Sequence, residues 1–473
     1  HHEKNADLIR VFSCRLPAMS YLYLSAAHKS SGKTTLSIGL CAALAGDRGL
    51  LVQPFKKGPD YIDPLWLGAA AGRPCYNLDV YMESPADNSR LFHDRMQGAD
   101  LGLIEGNKGL FDGISTDGSD SNAAMANLLG APVVLVIDTR GITRGIAPLL
   151  HGYSTFDPEV QIAGVILNQV GGARHEAKLR KAVETYTDIP VLGAVGRSSE
   201  LVIDERHLGL MPSNEHEEAQ RVISRIARAV TEGVDLDSLM AAAAKAPAIP
   251  AGQAASPLPS PDVKIGIAKD AAFGFYYAGD LQALRAAGAE LVWFDAISDE
   301  ALPRVDALFI GGGFPETMMG ELEANVAMRR SVAAFAEAGG VIYAECGGLM
   351  YLCRSIRWND SDCEMAGIIA ADVVMDSRPQ GRGYVRIEET SSHPWPRTAG
   401  EETLVPAHEF HYSHLEQVDP ALQFAYRVHR GHGIDGEKDG IVYKNVLAGY
   451  THLRDVEGHR WARRFVQHVR NCR

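Results

Sequence analysis

Tyr21-Leu22-Tyr23-Leu24-Ser25-Ala26-Ala27-His28-Lys29-Ser30-Ser31-Gly32-Lys33-Thr34-Thr35 is the stretch from which the fold follows. Residues 21–26 are apolar enough for a buried strand, a turn rich in Gly and Ser comes next, and an apolar helical pattern runs through 36–44. Strand, turn and helix in that order are what a phosphate-binding loop needs. Backbone N–H groups and the helix N-terminus would cradle phosphate oxygens, Lys33 would neutralise β/γ charge, and the Thr34 hydroxyl would face Mg²⁺. The first glycine of the motif is replaced by Ala27, a residue that tolerates positive φ poorly.

Outward from this loop, short apolar runs at 50–55, 101–105, 133–138 and 162–168 alternate with helical patterns, which predicts βαβ units and a parallel sheet. Residues 241–262, AAAAKAPAIPAGQAASPLPSPD, are rich in Ala, Pro and Ser with almost no charge and read as a linker. Beyond it the alternation restarts: strands at 263–268, 290–294, 307–310 and 341–344, helices at 278–287 and 325–338. The expected organisation is two α/β domains, 19–240 and 263–473, joined by 241–262. Residues 1–18, opening on His1 and His2 ahead of Met19, are expected to be a tag or leader.

Charge and composition narrow the partners. The 473 residues hold 46 Lys and Arg against 59 Asp and Glu, a net charge of -13, the wrong sign for coating nucleic acid or an anionic membrane. An anionic ligand must therefore meet a local basic pocket. No apolar run approaches the ~18 residues of a membrane helix, and the seven cysteines show no CxxC spacing, so neither a disulfide scaffold nor a zinc ribbon is expected. These features point to a cytoplasmic protein.

Three further segments carry chemistry. LGLIEG (101–106) is an apolar strand ending in Glu105, where a phosphate-binding enzyme keeps a metal-directed acid. PFKKGPDYIDP (54–64) crowds Lys56, Lys57, Asp60 and Asp63 into a loop constrained by Gly and Pro, suited to a polyanion with Mg²⁺. VIYAECGG (341–348) is a strand that turns at Cys346 into a helix beginning near Leu349, and a thiol on such an elbow points into a cleft. The glycine strand end 308–316 would complete an oxyanion hole, and His452 is a candidate base.

Together these pieces resemble the cobyrinic acid a,c-diamide synthase family, over nearly the whole chain from about Ser25 to Leu453. The carrying motifs are KKGPDYIDP (56–64), NLD (77–79), EGNKGLFDG (105–113), GVILN (164–168), RHLGL (206–210), DAAFGFYY (270–277), GGGFPE (311–316), ECGGLMYL (345–352) and HEFHYS (408–413). The resemblance implies a dethiobiotin-synthetase-like P-loop domain followed by a class I glutamine amidotransferase domain. Cys346, with His452 as base, would attack glutamine and release ammonia, with Gly313 and Gly347 N–H groups as oxyanion donors. ATP, held by Ser30, Gly32, Lys33, Thr34, Thr35 and Lys56 with Mg²⁺ near Thr34, Asp60 and Glu105, would phosphorylate a substrate carboxylate that ammonia then converts to an amide. Asp63 and Asp112 would position substrate and intermediate. The acidic side chains of a tetrapyrrole would meet Lys57, Lys108, Arg73 and Arg206, with Tyr61, Asn77 and Asp79 lining the same site. A homodimer is implied as well.

Arg454 stands where a full triad would place a Glu two residues after His452, so a Cys–His dyad is expected. The family usually has a histidine soon after Asp63-Pro64, where this chain has Leu65-Trp66-Leu67, and two apolar residues where it has Asn107-Lys108. Both departures are expected in loops facing the macrocycle, and they raise sirohaem as an alternative substrate of the same reaction. A non-catalytic P-loop switch ATPase is the rival of another class. It leaves Cys346 without a purpose.

Overall fold

The computed structural model describes residues 19–201, 203, 216–250, 257–397, 400 and 403–473. Arg206 and the RHLGL segment lie outside the described residues. The chain divides into two compact units, one of residues up to 54, 91–199 and 226–252, the other of residues 55–90, 200–225 and 253–473.

The first unit is built on five parallel strands in the order Leu101–Glu105, Ser20–Ala26, Val133–Asp138, Ile162–Val170, Val191–Gly196. Every residue of the first three is buried, as strands covered by helices on both faces must be. The register sets Glu105 beside Leu24 and Asn168 beside Asp138, so the polar strand ends gather at one edge of the sheet with the phosphate-binding loop. The helix after that loop runs Lys33–Gly46. Helix Leu236–Ala243, capped by Asp235, takes in the first residues of the segment expected to be linker, because Leu239, Met240, Ala242 and Ala243 have a core to bury against.

In the second unit nine strands form one mixed sheet, ordered Ala289–Phe294, Val263–Ala268, Ala307–Ile310, Val341–Glu345, Val446–Gly449, Lys438–Tyr443, Gln423–Arg430, Gly381–Glu389, Leu404–His411. The first five are mutually parallel and the rest antiparallel. Alternation with period two divides the core between the faces: Leu308, Ile310, Ile342 and Ala344 pack on one side, Phe309, Val341 and Tyr343 on the other.

Two expectations about loops are corrected. Lys56 and Lys57 end the strand Val52–Lys57 and are buried, because that strand pairs in parallel with Tyr76–Leu78 rather than opening into solvent. Leu65-Trp66-Leu67 lie inside helix Ile62–Ala71, with Trp66 and Leu67 buried, and so do not form a loop surface for a macrocycle.

Candidate active sites

In the phosphate-binding loop the left-handed residues are Ser30 (φ 64) and Gly32 (φ 82), while Ala27 is not among the residues with positive φ. The alanine departure therefore costs no backbone strain. Asn168, from GVILN, donates through Nδ2 to the Ser31 carbonyl at 2.8 Å and packs so close that a Cβ on Gly32 would lie 2.1 Å from that nitrogen. The Thr34 hydroxyl donates to Glu105 Oε1 at 2.8 Å, and Lys33 Nζ lies 3.5 Å from the same oxygen. Hydroxyl and carboxylate oxygens are the hard donors that Mg²⁺ accepts, so Thr34 and Glu105 fit the metal role expected of them. Asp112 accepts from the Gly109 N–H at 3.0 Å, and both it and Lys108 reach solvent. Ser30 is exposed and Thr35 half-buried on the loop and first helical turn.

The KKGPDYIDP and NLD motifs belong to the second unit. Lys56 forms an ion pair with Asp63 and lies 3.8 Å from Asp60, whose Oδ1 accepts from the N–H groups of Ile62 and Asp63. Asn77 ties this loop down, its Nδ2 donating to the carbonyls of Gly58 and Asp60, both at 2.8 Å. Asp79 is buried, accepting from the Tyr81 N–H and the Tyr384 hydroxyl. Asn77 and Asp79 thus hold the loop's shape. Arg73 is half-buried.

The second site grows from the carboxyl ends of three adjacent parallel strands. Ala307–Ile310 leads into Gly311-Gly312-Gly313, Val341–Glu345 into Cys346, and Val446–Gly449 into Tyr450-Thr451-His452. Cys346 has φ 49 and ψ -102, a strained elbow held by its N–H donating to Gly449 O at 2.7 Å, and the following helix begins at once, Gly347–Leu352. Glycines are required there: a Cβ on Gly348 would stand 2.1 Å from Ile310 O, and one on Gly347 would stand 3.0 Å from the Gly313 nitrogen. Gly313 and Gly347 are therefore neighbours beside the thiol.

His452 is buried, and its backbone pairs with His408, N–H to O at 2.7 Å and the reverse bond at 3.2 Å. This is what the HEFHYS motif contributes, together with the Phe410 carbonyl 3.8 Å from Cys346 Sγ. The imidazole Nδ1 lies 3.3 Å from Glu345 Oε2. Burial works against its charge, but the bonds and charges of Cys346 and Glu345 outweigh that and push its pKa up to about 10. The Tyr61 ring covers the imidazole at 4.8 Å between centroids.

Arg454, two residues on, is buried and points the other way: Nη2 reaches Glu83 at 2.9 Å and the Asn77 carbonyl at 2.9 Å, and the guanidinium lies 5.2 Å from the Tyr277 ring centroid. His411 bonds Ser413 O and His414 bonds Asp376 through their Nδ1 atoms. Among the described residues no group of three or more His, Cys, Asp or Glu is placed to hold a metal.

Sequence reasoning passed over Glu345. In a strand, neighbouring side chains face opposite ways, so a residue next to the nucleophile reads as turned from it. The signal was the elbow itself, which cancels the alternation. The site brings together a thiol, an imidazole and converging backbone amides, groups able to open an amide and protonate its leaving nitrogen.

Comparison with known proteins agrees with both halves. Residues 26–210 match the CobQ/CobB/MinD/ParA nucleotide binding domain, and residues 264–456 match the CobB/CobQ-like glutamine amidotransferase domain. The chain is 46% identical to a cobyrinate a,c-diamide synthase of Magnetococcus marinus over 93% of this chain and 95% of that protein. Proteins of the same description from Archaeoglobus fulgidus and Methanosarcina acetivorans are 41% and 40% identical, each over 92% of this chain and over 94% and 92% of their own lengths.

Proposed function

Because the chain belongs to the cobyrinate a,c-diamide synthase family, and with it is a glutamine-dependent amidotransferase, we propose that it amidates peripheral acetate carboxylates of a cobyrinate-type tetrapyrrole through an acyl phosphate. Cys346 Sγ attacks the side-chain carbonyl carbon of glutamine, Gly313 and Gly347 N–H groups take the oxyanion, and the His452 imidazolium gives its proton to the departing nitrogen. Ammonia leaves, and water releases glutamate from the thioester. At the phosphate-binding loop, Lys33 and the backbone of Ser30–Thr35 hold ATP while a substrate carboxylate oxygen takes the γ-phosphoryl group. Ammonia then displaces phosphate to leave the amide. Activation is needed because a carboxylate is a poor electrophile until its oxygen can leave. Mg²⁺ held by Thr34 and Glu105 would draw charge from the phosphate oxygens. Asp63, Asp112, Lys57 and Lys108 remain our candidates for positioning the substrate. Arg206 and Tyr61 belong to the same proposal, and a cytoplasmic location goes with it.

The observation that carries the reading is the meeting of Cys346, His452 and Gly313 at the ends of three neighbouring strands. The test is mass spectrometry of cobyrinate and sirohaem incubated in parallel with the protein, ATP, Mg²⁺ and glutamine. We expect amidated cobyrinate, and a Cys346→Ala protein that amidates only with ammonium salts. Amidation of sirohaem alone would move the protein to the other macrocycle, and amidation of neither would sink the proposal.

A further inference from the structure

We infer that Glu345, the residue immediately before the nucleophile, is the positioning carboxylate of the glutaminase and orients His452 in a Cys346–His452–Glu345 relay, an assignment that rests on reading Cys346 as the nucleophile. The carboxylate is built into its place. Its Oε1 accepts from the Tyr343 hydroxyl at 2.5 Å and from the Leu453 N–H at 3.0 Å, which leaves Oε2 facing His452 Nδ1 at 3.3 Å. Tyr343 is available because it lies two residues earlier on the same strand face, and Leu453 because it follows the histidine it helps to fix. Burial and the neighbouring carboxylate both hold the Tyr343 hydroxyl protonated, well above its ordinary value, so it stays a donor. All three groups are shut from solvent: Glu345 and His452 side chains are 4% and 3% exposed.

The backbone explains how adjacent residues serve one imidazole. Regular alternation would send Glu345 and Cys346 to opposite faces, but φ 49 at Cys346 swings the thiol round so that both meet the ring. Two residues beyond the histidine stands Arg454, which is drawn toward Glu83. With Nδ1–H donated to Glu345, Nε2 is the nitrogen left to serve the thiol. A buried imidazolium without an anion would shed its proton. Glu345 keeps it charged while Sγ forms the carbon–sulfur bond, the proton passes from Nε2 to the departing nitrogen, and the carboxylate stays ionised throughout.

The test compares full-length wild type with Cys346→Ala, Glu345→Gln, Glu345→Asp and Tyr343→Phe, following glutamine hydrolysis across pH and ATP binding at pH 7. We expect Cys346→Ala to hydrolyse nothing. Glu345→Gln should lose about 100-fold in kcat with KM for glutamine and ATP affinity unchanged. The alkaline limb of its kcat/KM profile should move to lower pH, because the charged imidazole is lost sooner. Glu345→Asp should recover part of the rate. Tyr343→Phe, which keeps the charge and removes one anchor, should lose about tenfold in kcat at constant KM. Unchanged kcat and an unmoved alkaline limb in Glu345→Gln would overturn the assignment, as would a loss of ATP affinity parallel to the loss of hydrolysis. Should Cys346→Ala still hydrolyse glutamine, the nucleophile reading falls first, an outcome the Glu345 variants alone do not give.

Discussion

Gly32 meets two demands at once, a left-handed φ of 82 and the amide of Asn168, whose nitrogen would lie 2.1 Å from any added Cβ. Gly32→Ala should therefore cost at least about 1–2 kcal/mol in the loop's conformation before the clash is counted. Titration with ATP should show binding weakened tenfold or more, with glutamine hydrolysis intact; undiminished ATP binding would mean that Asn168 yields. The elbow at Cys346 was legible in the sequence because a Cys before two glycines on a strand end is a local pattern. The approach of Glu345 to His452 was not, since it depends on a dihedral angle and on a histidine more than a hundred residues away. Asn77 and Asp79 were legible as motif residues only. The structure shows them bonding backbone and hydroxyl groups of their own unit.

Among the elements, the elbow between Val341–Glu345 and Gly347–Leu352 stores strain, because φ 49 with ψ -102 is a conformation L side chains avoid. Cys346→Gly should relieve it, raising stability to urea by about 1 kcal/mol while abolishing glutamine hydrolysis; a destabilised variant would show that the sulfur's packing outweighs the strain. Strands and helices with strong apolar runs were legible within a residue or two. Strand Ala307–Ile310 falls where its pattern placed it, and helix 278–287 is observed as Ala278–Ala286. Lys56 and Lys57 failed as loop residues because two lysines at a strand end look solvated until Tyr76–Leu78 is known to lie alongside. Leu65-Trp66-Leu67 failed in the same way, since the helix N-terminus at Ile62 is capped by the side chain of Asp60, one residue before the N-cap Tyr61, which makes no cap bond of its own.

At the scale of the whole molecule, the second unit is closed by an ion network that no motif announced. Arg464 grips Glu389 at 2.5 and 3.0 Å, and His459 lies 3.1 Å from the same carboxylate. Burial opposes the charge of Glu389, but the bonds from His459 and Arg464 win and hold its pKa far below the usual carboxylate range. The stability this contributes is present above the unfolded value near 4.5 and is lost as pH falls through the folded one. Glu389→Gln, which leaves Arg464 buried without its anion, should cost about 3–5 kcal/mol near neutral pH. In urea titrations the gap from wild type should narrow as the medium is acidified; a gap independent of pH would refute the sign. The parallel α/β character was legible as far as Val341–Glu345, because buried parallel strands are continuous apolar runs, while the antiparallel strands between Gly381 and Tyr443 were not read from the sequence.

Residues 55–90 fold with the amidotransferase unit, and from there Tyr61 shields His452 and Glu83 answers Arg454. The glutaminase is consequently not a cassette that a single cut can lift out of the gene. A piece beginning at residue 263 would carry Cys346 and His452 but leave one ring face bare and a guanidinium stranded in the interior. A portable version must bring two stretches of chain, 55–90 and 263–473, and an engineer who wishes to exchange the nitrogen donor of this enzyme has to transplant both.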